Sequence, residues 1–314
     1  MSFAQRISST WERDGLSGIV LRSAVYSLRR IGWRADAWSN RLDYRVAKRS
    51  MLHRYGPLLK RNEQFRGRHR GRRCFVIGNG PSLKSQDLTP LADEITFVTN
   101  YFHLHPIVGE SWQPTYYCLT DPALFDGREP LSSFREIVSR ITSASFFVSH
   151  HAFEFLEKTS ALPPERTYYI ASCEGISGSE SLRPDLTKAT PGVQTVVQLA
   201  IMAAIYMGCT SIYLLGLDHD WLAHGGSHLN FYSDEEPENQ PAGNLPGWSY
   251  HSMLDAVLTM WKVYELQERM AESAGIKIIN ATRGGFLDVF ERASYEKIIA
   301  NKTPAGIVAS VVQQ

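Results

Sequence analysis

Side chains and backbone with chemical reach gather at a few points of this chain. Gly78-Asn79-Gly80-Pro81-Ser82 follows directly on the apolar run 74–77. Glycines there let the backbone turn sharply and approach a ligand closely, and Pro81 suits the first turn of a helix. Free N–H groups at such a helix start, with the Ser82 hydroxyl beside them, would favour a phosphate. Asp218-His219-Asp220 ends a second apolar run, and His224, His228 and Tyr232 follow it. These side chains suit polar contact to a phosphate or a sugar. They are also metal-ligand types, but no spacing among them defines a site, so no metal is expected. His251 opens a long helical pattern. The dipole of a helix start disfavours imidazolium, so a neutral base is expected there, the state that takes a proton from a sugar hydroxyl.

The glycine turn departs from the dinucleotide fingerprint. Leu83 stands where the third glycine would be, and Asn100 ends the next apolar run where an NAD enzyme carries an acid. An asparagine there can read a base or sugar through its amide.

The elements that must position these residues follow from hydrophobic patterning. Strands are expected at 74–78, 95–99, 115–120, 145–149, 167–171, 211–217 and 276–280. Helices are expected at 81–92, 132–143, 151–158, 192–207, 251–274 and 286–300. Such alternation predicts an α/β fold: a single Rossmann-like domain with a mostly parallel sheet covered by helices on both faces. Ligands of such sheets sit beyond the carboxyl ends of the strands, which directs attention to Asn79, Asn100, Asp121, His150, Ser172 and Asp218. Thr190 and Gly192 precede a nearly all-apolar helix whose N-terminus should face the same edge. The polar segment 219–250 has the length of a substrate loop rather than a connector.

The 314 residues carry a net charge of only +1, unevenly spread. Residues 1–73 hold 18 Lys/Arg against 5 Asp/Glu, a balance of +13; the remainder, 15 against 27, balances −12. A basic amphipathic helical extension over 1–70 is therefore expected on a mildly acidic catalytic body over 71–314. Its tryptophans and arginines suit an anionic membrane surface; packing on the body and nucleic-acid contact are the other readings, and no nucleic-acid partner is expected. Four scattered cysteines read as buried and reduced. With no spanning run and no secretory leader expected, the chain reads as cytoplasmic, peripheral at the inner face of the membrane.

Taken in order, Val76-Ile-Gly-Asn-Gly-Pro-Ser-Leu83, Thr99-Asn100, Thr190-Pro-Gly192, Ile212-Tyr-Leu-Leu-Gly-Leu-Asp218 and His251 resemble the bacterial sialyltransferases of glycosyltransferase family 42. They equally resemble a broader superfamily of unknown-function domains, which includes motility-associated flagellin glycosyltransferases and hydroxymethylpterin diphosphokinase-like proteins. The resemblance covers about residues 72–290. It implies inverting transfer of a nonulosonic (sialic-acid-like) sugar from a CMP-linked donor to a surface glycan or glycolipid, with no cofactor required. Gly78, Asn79, Gly80, Ser82, Asn100, Asp121 and Asp218 would form the nucleotide pocket, and Thr190 and Gly192 would border the cytidine and phosphate. His251 would be the general base. The family pattern has a serine where this chain has Pro191, and tyrosines after the Gly-x-Asp strand; His219, His228 or Tyr232 would here hold the leaving phosphate. Two alternatives stand beside this. One is an ATP-dependent diphosphokinase-like transferase, with Mg on Asp218 and Asp220. The other is a non-enzymatic nucleotide- or glycan-binding partner of a membrane assembly.

Overall fold

The computed structural model describes residues 39, 42, 44–173, 180–224, 230–232 and 249–300. Eight parallel strands form one sheet: β1 (Arg73–Ile77), β2 (Ile95–Thr99), β3 (Tyr116–Leu119), β4 (Ser145–Ser149), β5 (Thr167–Ile170), β6 (Ser211–Leu215), β7 (Lys277–Asn280) and β8 (Glu291–Arg292). Their order is β5-β4-β3-β2-β1-β6-β7-β8. The chain first builds outward from β1 to β5, then crosses back to place β6 against the other side of β1. Between β1 and β6 the winding reverses. That reversal opens the crevice in which doubly wound sheets bind ligands.

The seven expected strands form because each is buried on both faces, as parallel strands covered by helices are. In β1, Cys74 and Val76 face one core, while Phe75 and Ile77 face the other. Helices α5 (Val196–Tyr206) and α6 (Tyr250–Ser273) cover the first face. α5 is apolar all round because it packs on β1, β2 and β3 beneath α6. Helices α3 (Leu131–Arg140), α4 (Phe153–Thr159) and α7 (Tyr295–Ala300) cover the other face.

Three expected helices take other forms. No α-helix spans 81–92; two 3-10 turns, Pro81–Ser85 and Thr89–Leu91, stand in its place. Gln86 is extended, the Asp87 carboxylate accepts from the Thr89 N–H at 2.9 Å, and Pro90 follows where a helix needs a donor. α5 starts at Val196 rather than 192, because Thr195 and Gln198 form a capping box. The C-terminal helix begins only at Tyr295, after Ser294 accepts from the Lys297 N–H, and β8 precedes it.

Of the basic extension, residues 1–38 lie outside the described residues, and the membrane-docking expectation falls largely on them. Residues 44–60 form helix α1. Its Tyr55 and Leu59 are buried, as is Phe65 just beyond, so the core extends well before residue 70. The Asn62 amide donates to the carbonyls of Tyr169 and Leu186 at 2.8 Å, fastening this segment beside β5. All four cysteines are free and buried. Among the described residues no helix is long and apolar enough to cross a membrane.

Candidate active site

The mouth of the crevice is made by backbone pressed against backbone. The Gly78 N–H donates to the Leu215 carbonyl at 2.8 Å, and the Gly80 N–H donates to the Gly216 carbonyl at 2.9 Å. A Cβ on Gly78 would meet the Gly216 oxygen at 2.5 Å, and one on Gly80 would meet the Asp218 carboxylate at 1.8 Å. Glycine is needed here for the fit of two loops. Asp218 is buried, and accepts from the Ser82 hydroxyl at 2.8 Å and from its N–H at 3.3 Å. Burial raises its pKa and Asp220 adds to this, while the Ser82 bonds oppose both. The Phe286 N–H donates to the Asp218 carbonyl at 2.8 Å, so Asp218 joins three loops.

This arrangement corrects the expected main-chain anion cradle. The N–H groups of Gly78, Gly80 and Ser82 are already spent on protein oxygens, and no α-helix follows to lend a dipole. The anion that Ser82 meets is the Asp218 carboxylate.

What faces the crevice lies one step along the edge. The Asn79 amide nitrogen donates to the Thr99 carbonyl at 3.1 Å, while its Oδ1 is buried without a partner among the described residues. Asn100 takes the left-handed conformation, φ 39°. Its Oδ1 accepts from the Thr120 N–H at 3.2 Å and its carbonyl accepts from the Tyr117 hydroxyl, tying β2 to β3. Asp121 caps the short helix α2 (Pro122–Phe125), accepting from the Ala123 N–H at 3.0 Å. Segment 230–232 comes down onto this edge: the Phe231 N–H donates to the Asn79 carbonyl at 2.9 Å. Its neighbour Tyr232 stands 5.7 Å from Tyr101, ring centre to ring centre. Burial, with Asp121 nearby, pushes the Tyr232 phenol up to about 12, so it is a neutral donor at physiological pH. The Tyr101 hydroxyl donates to Glu129 at 3.0 Å. Tyr101 and Glu129 were not singled out in the sequence. Tyr101 could have been, since it directly follows Asn100 at the end of β2; nothing near Glu129 in the chain marks it.

The remaining candidates sit apart. Thr190 is buried, and its hydroxyl and N–H both donate to the Ala171 carbonyl, at 3.1 and 2.8 Å. Gly192 is buried, three residues ahead of the Thr195 cap. His219, φ 48°, turns to α6: its Nε2 lies 2.7 Å from the Tyr264 hydroxyl, and its ring packs on Trp221 and Trp261. The Tyr264 hydroxyl in turn lies 3.5 Å from Thr195, linking the β6 loop to the start of α5. His251 is exposed on the first turn of α6. It precedes Tyr264 by thirteen residues, about 20 Å of helix at 1.5 Å per residue. Val257, Met260 and Trp261 of this stretch pack on the core, and His251 lies at the start of the helix. His228 lies outside the described residues. Among the described residues no three His, Cys, Asp or Glu side chains form a metal-sized group.

Gly78–Ser82, Asn100, Asp121, Asp218 and Tyr232 thus meet along the carboxyl ends of β1, β2, β3 and β6, whereas Thr190 and His219 make their contacts elsewhere and His251 is exposed at the start of α6. No family model matches the chain, and no curated protein matches it. Among solved structures, the sialyltransferase CstII from Campylobacter jejuni, in complex with the substrate analogue CMP-3FNeuAc, is similar over 71% of this chain and 86% of its own, at 15% identity and a TM-score of 0.43. A sialyltransferase CST-II complex with a trisaccharide acceptor and CMP is similar over the same shares, at 16% identity and a TM-score of 0.42. The monofunctional alpha-2,3-sialyltransferase Cst-I from Campylobacter jejuni is similar over 67% of this chain and 75% of its own, at 15% identity and a TM-score of 0.37.

Proposed function

We propose that this chain is an inverting, sialyltransferase-like glycosyltransferase. In this reading it moves a nonulosonic sugar from a CMP-linked donor to a hydroxyl of a glycan or glycolipid. The observation that carries it is the buried Oδ1 of Asn79 at the carboxyl ends of β1 and β2, without a partner among the described residues, with the neutral phenol of Tyr232 on the segment whose Phe231 N–H bonds the Asn79 carbonyl. An orphaned acceptor calls for a donor from a ligand, and a cytosine amino group or a ribose hydroxyl supplies one. The Tyr232 phenol donates to the phosphate as charge develops on it. The acceptor oxygen bonds to the anomeric carbon as the carbon–oxygen bond to CMP breaks. CMP leaves with the electron pair, and the acceptor proton goes to the imidazole of His251. His251 acts from the tip of α6, on the side from which an acceptor enters. The magnesium-dependent alternative has no observation in its favour, since Asp218 is committed to Ser82.

Calorimetry with CMP, UDP, GDP and ATP, with and without magnesium, tests the donor assignment. CMP should bind without metal, and Asn79→Ala should weaken it at least about tenfold, or about 1.4 kcal/mol. His251→Ala should keep CMP affinity and lose turnover. Binding of ATP with magnesium in place of CMP would overturn the reading.

A further inference from the structure

A second polar site lies away from the crevice. Between α1 and the 180–191 loop is a cavity of about 300 Å³, walled by Tyr44, Lys48, Arg66, Arg183, Lys188 and Thr190. Four of these residues are cations; among the described residues Asp185 is the one carboxylate in the wall, and Glu180 lies near Tyr44. Asp185 is already saturated: it accepts from Thr187 at 2.7 Å and pairs with Arg66 and Lys188, each at 3.0 Å. Arg66 also pairs with Glu63. Among the described residues, Lys48 and Arg183 have no carboxylate within ion-pair distance; the Lys48 ammonium lies 5.9 Å from the centre of the Tyr44 ring. Uncompensated positive charge in a recess with low-dielectric walls concentrates field and draws in anions. Pro184 and Pro191 stiffen the loop that carries Arg183 and Lys188.

We propose that this cavity is an anion site for a compact phosphate-bearing group, separate from the sugar-donor crevice. Its volume suits a pyrophosphate or a sugar phosphate rather than a polymer. Guanidinium and ammonium groups from three chain segments converge on it, and each favours phosphate oxygens. Thr190 closes the cavity from the side of β5, although the family pattern would set it beside the donor. The phosphate can come from a soluble ester or from a lipid headgroup, since α1 leads back to the strongly basic N-terminal segment.

The full chain is titrated with sodium pyrophosphate by calorimetry, and sedimented with phosphatidylcholine vesicles with and without phosphatidic acid. The Lys48→Gln/Arg183→Gln variant alters two side chains that contribute little to the core and should fold as the parent does. Loss of two charge-assisted contacts should weaken pyrophosphate binding at least about tenfold, while CMP binding stays unchanged. If the group is a headgroup, the variant instead loses sedimentation with phosphatidic acid vesicles. Equal pyrophosphate titration and equal sedimentation for parent and variant overturn the site. Pyrophosphate binding that Asn79→Ala removes and the double variant keeps overturns its separateness from the crevice.

Discussion

Asp218 sets the shape of the crevice without facing it. Its carboxylate fills the space that a side chain at residue 80 would need, and Ser82 and Phe286 hold it there. Gly80→Ala would drive a methyl group into Asp218 at 1.8 Å and into the Gly216 carbonyl at 2.7 Å. The clash is with a buried, doubly bonded carboxylate and a strand-end backbone, neither of which can swing away. Loss of about 2–4 kcal/mol is expected in urea unfolding, as overpacking and a broken buried polar contact combine. Gly71→Ala, whose Cβ meets nothing within 4 Å but whose φ is 79°, separates backbone strain from steric conflict. It should cost about 1 kcal/mol. Equal losses for the two would remove the clamp role of Asp218. The placing of Asn79, Asn100 and Asp218 at the edge was legible, because residues following buried strands must lie there. The spent amides were not: which carbonyl faces the glycine turn depends on β6 lying beside β1, more than 130 residues away in the chain.

Between elements, the seam of α5 and α6 carries two buried glutamines with different duties. The Gln198 amide nitrogen donates to the Met260 carbonyl at 2.8 Å, and its Oδ-like terminal oxygen, Oε1, accepts from the Gln194 and Thr195 N–H groups at 2.8 and 3.3 Å. The Gln267 amide nitrogen donates to the Gln198 carbonyl at 2.6 Å, but its Oε1 is buried unpartnered. Removing Gln198 orphans two helix-start donors and opens a cavity. Gln198→Ala should therefore cost about 2–4 kcal/mol. Gln267→Met removes an unsatisfied atom along with its bond and keeps the volume, so it should change stability by less than about 1 kcal/mol. Denaturant midpoints check both, and a larger loss for Gln267→Met than for Gln198→Ala would invert this account. α6 was read within a residue at each end, since Ser249 caps a long patterned run. The helix expected at 81–92 does not form because Pro90 withholds a donor and Asp87 bonds the Thr89 N–H locally, which apolar spacing does not show. Strand β8, two exposed residues long, has no hydrophobic signature to read.

At the scale of the molecule, the described part of the basic segment, residues 44–73, is docked on an acidic body. Arg54 pairs with Glu154, Arg66 with Asp185 and Arg73 with Glu94. Such pairs are weak when exposed, but the docking also buries His150 and half-buries His69 in positive surroundings. Burial, with Arg68 and Arg72 adding to it, pushes His69 down to about 4; burial, with His151 and Arg54, does the same to His150. A histidine whose folded pKa is depressed binds its proton more readily unfolded than folded. Stability from these residues is therefore intact above the unfolded pKa, about 6.5, and falls as pH drops through that value toward about 4. With allowance for solvent screening at these part-buried rings, the two together should cost about 2 kcal/mol between pH 7 and pH 5. Urea midpoints at the two pH values measure this. The His69→Gln/His150→Gln variant should flatten the slope over that range even though it loses the 2.7 Å contact of His69 with Tyr116. An unchanged slope in the variant would mean that other groups set the acid sensitivity of the fold, and that the basic segment docks without confining these rings in their neutral form.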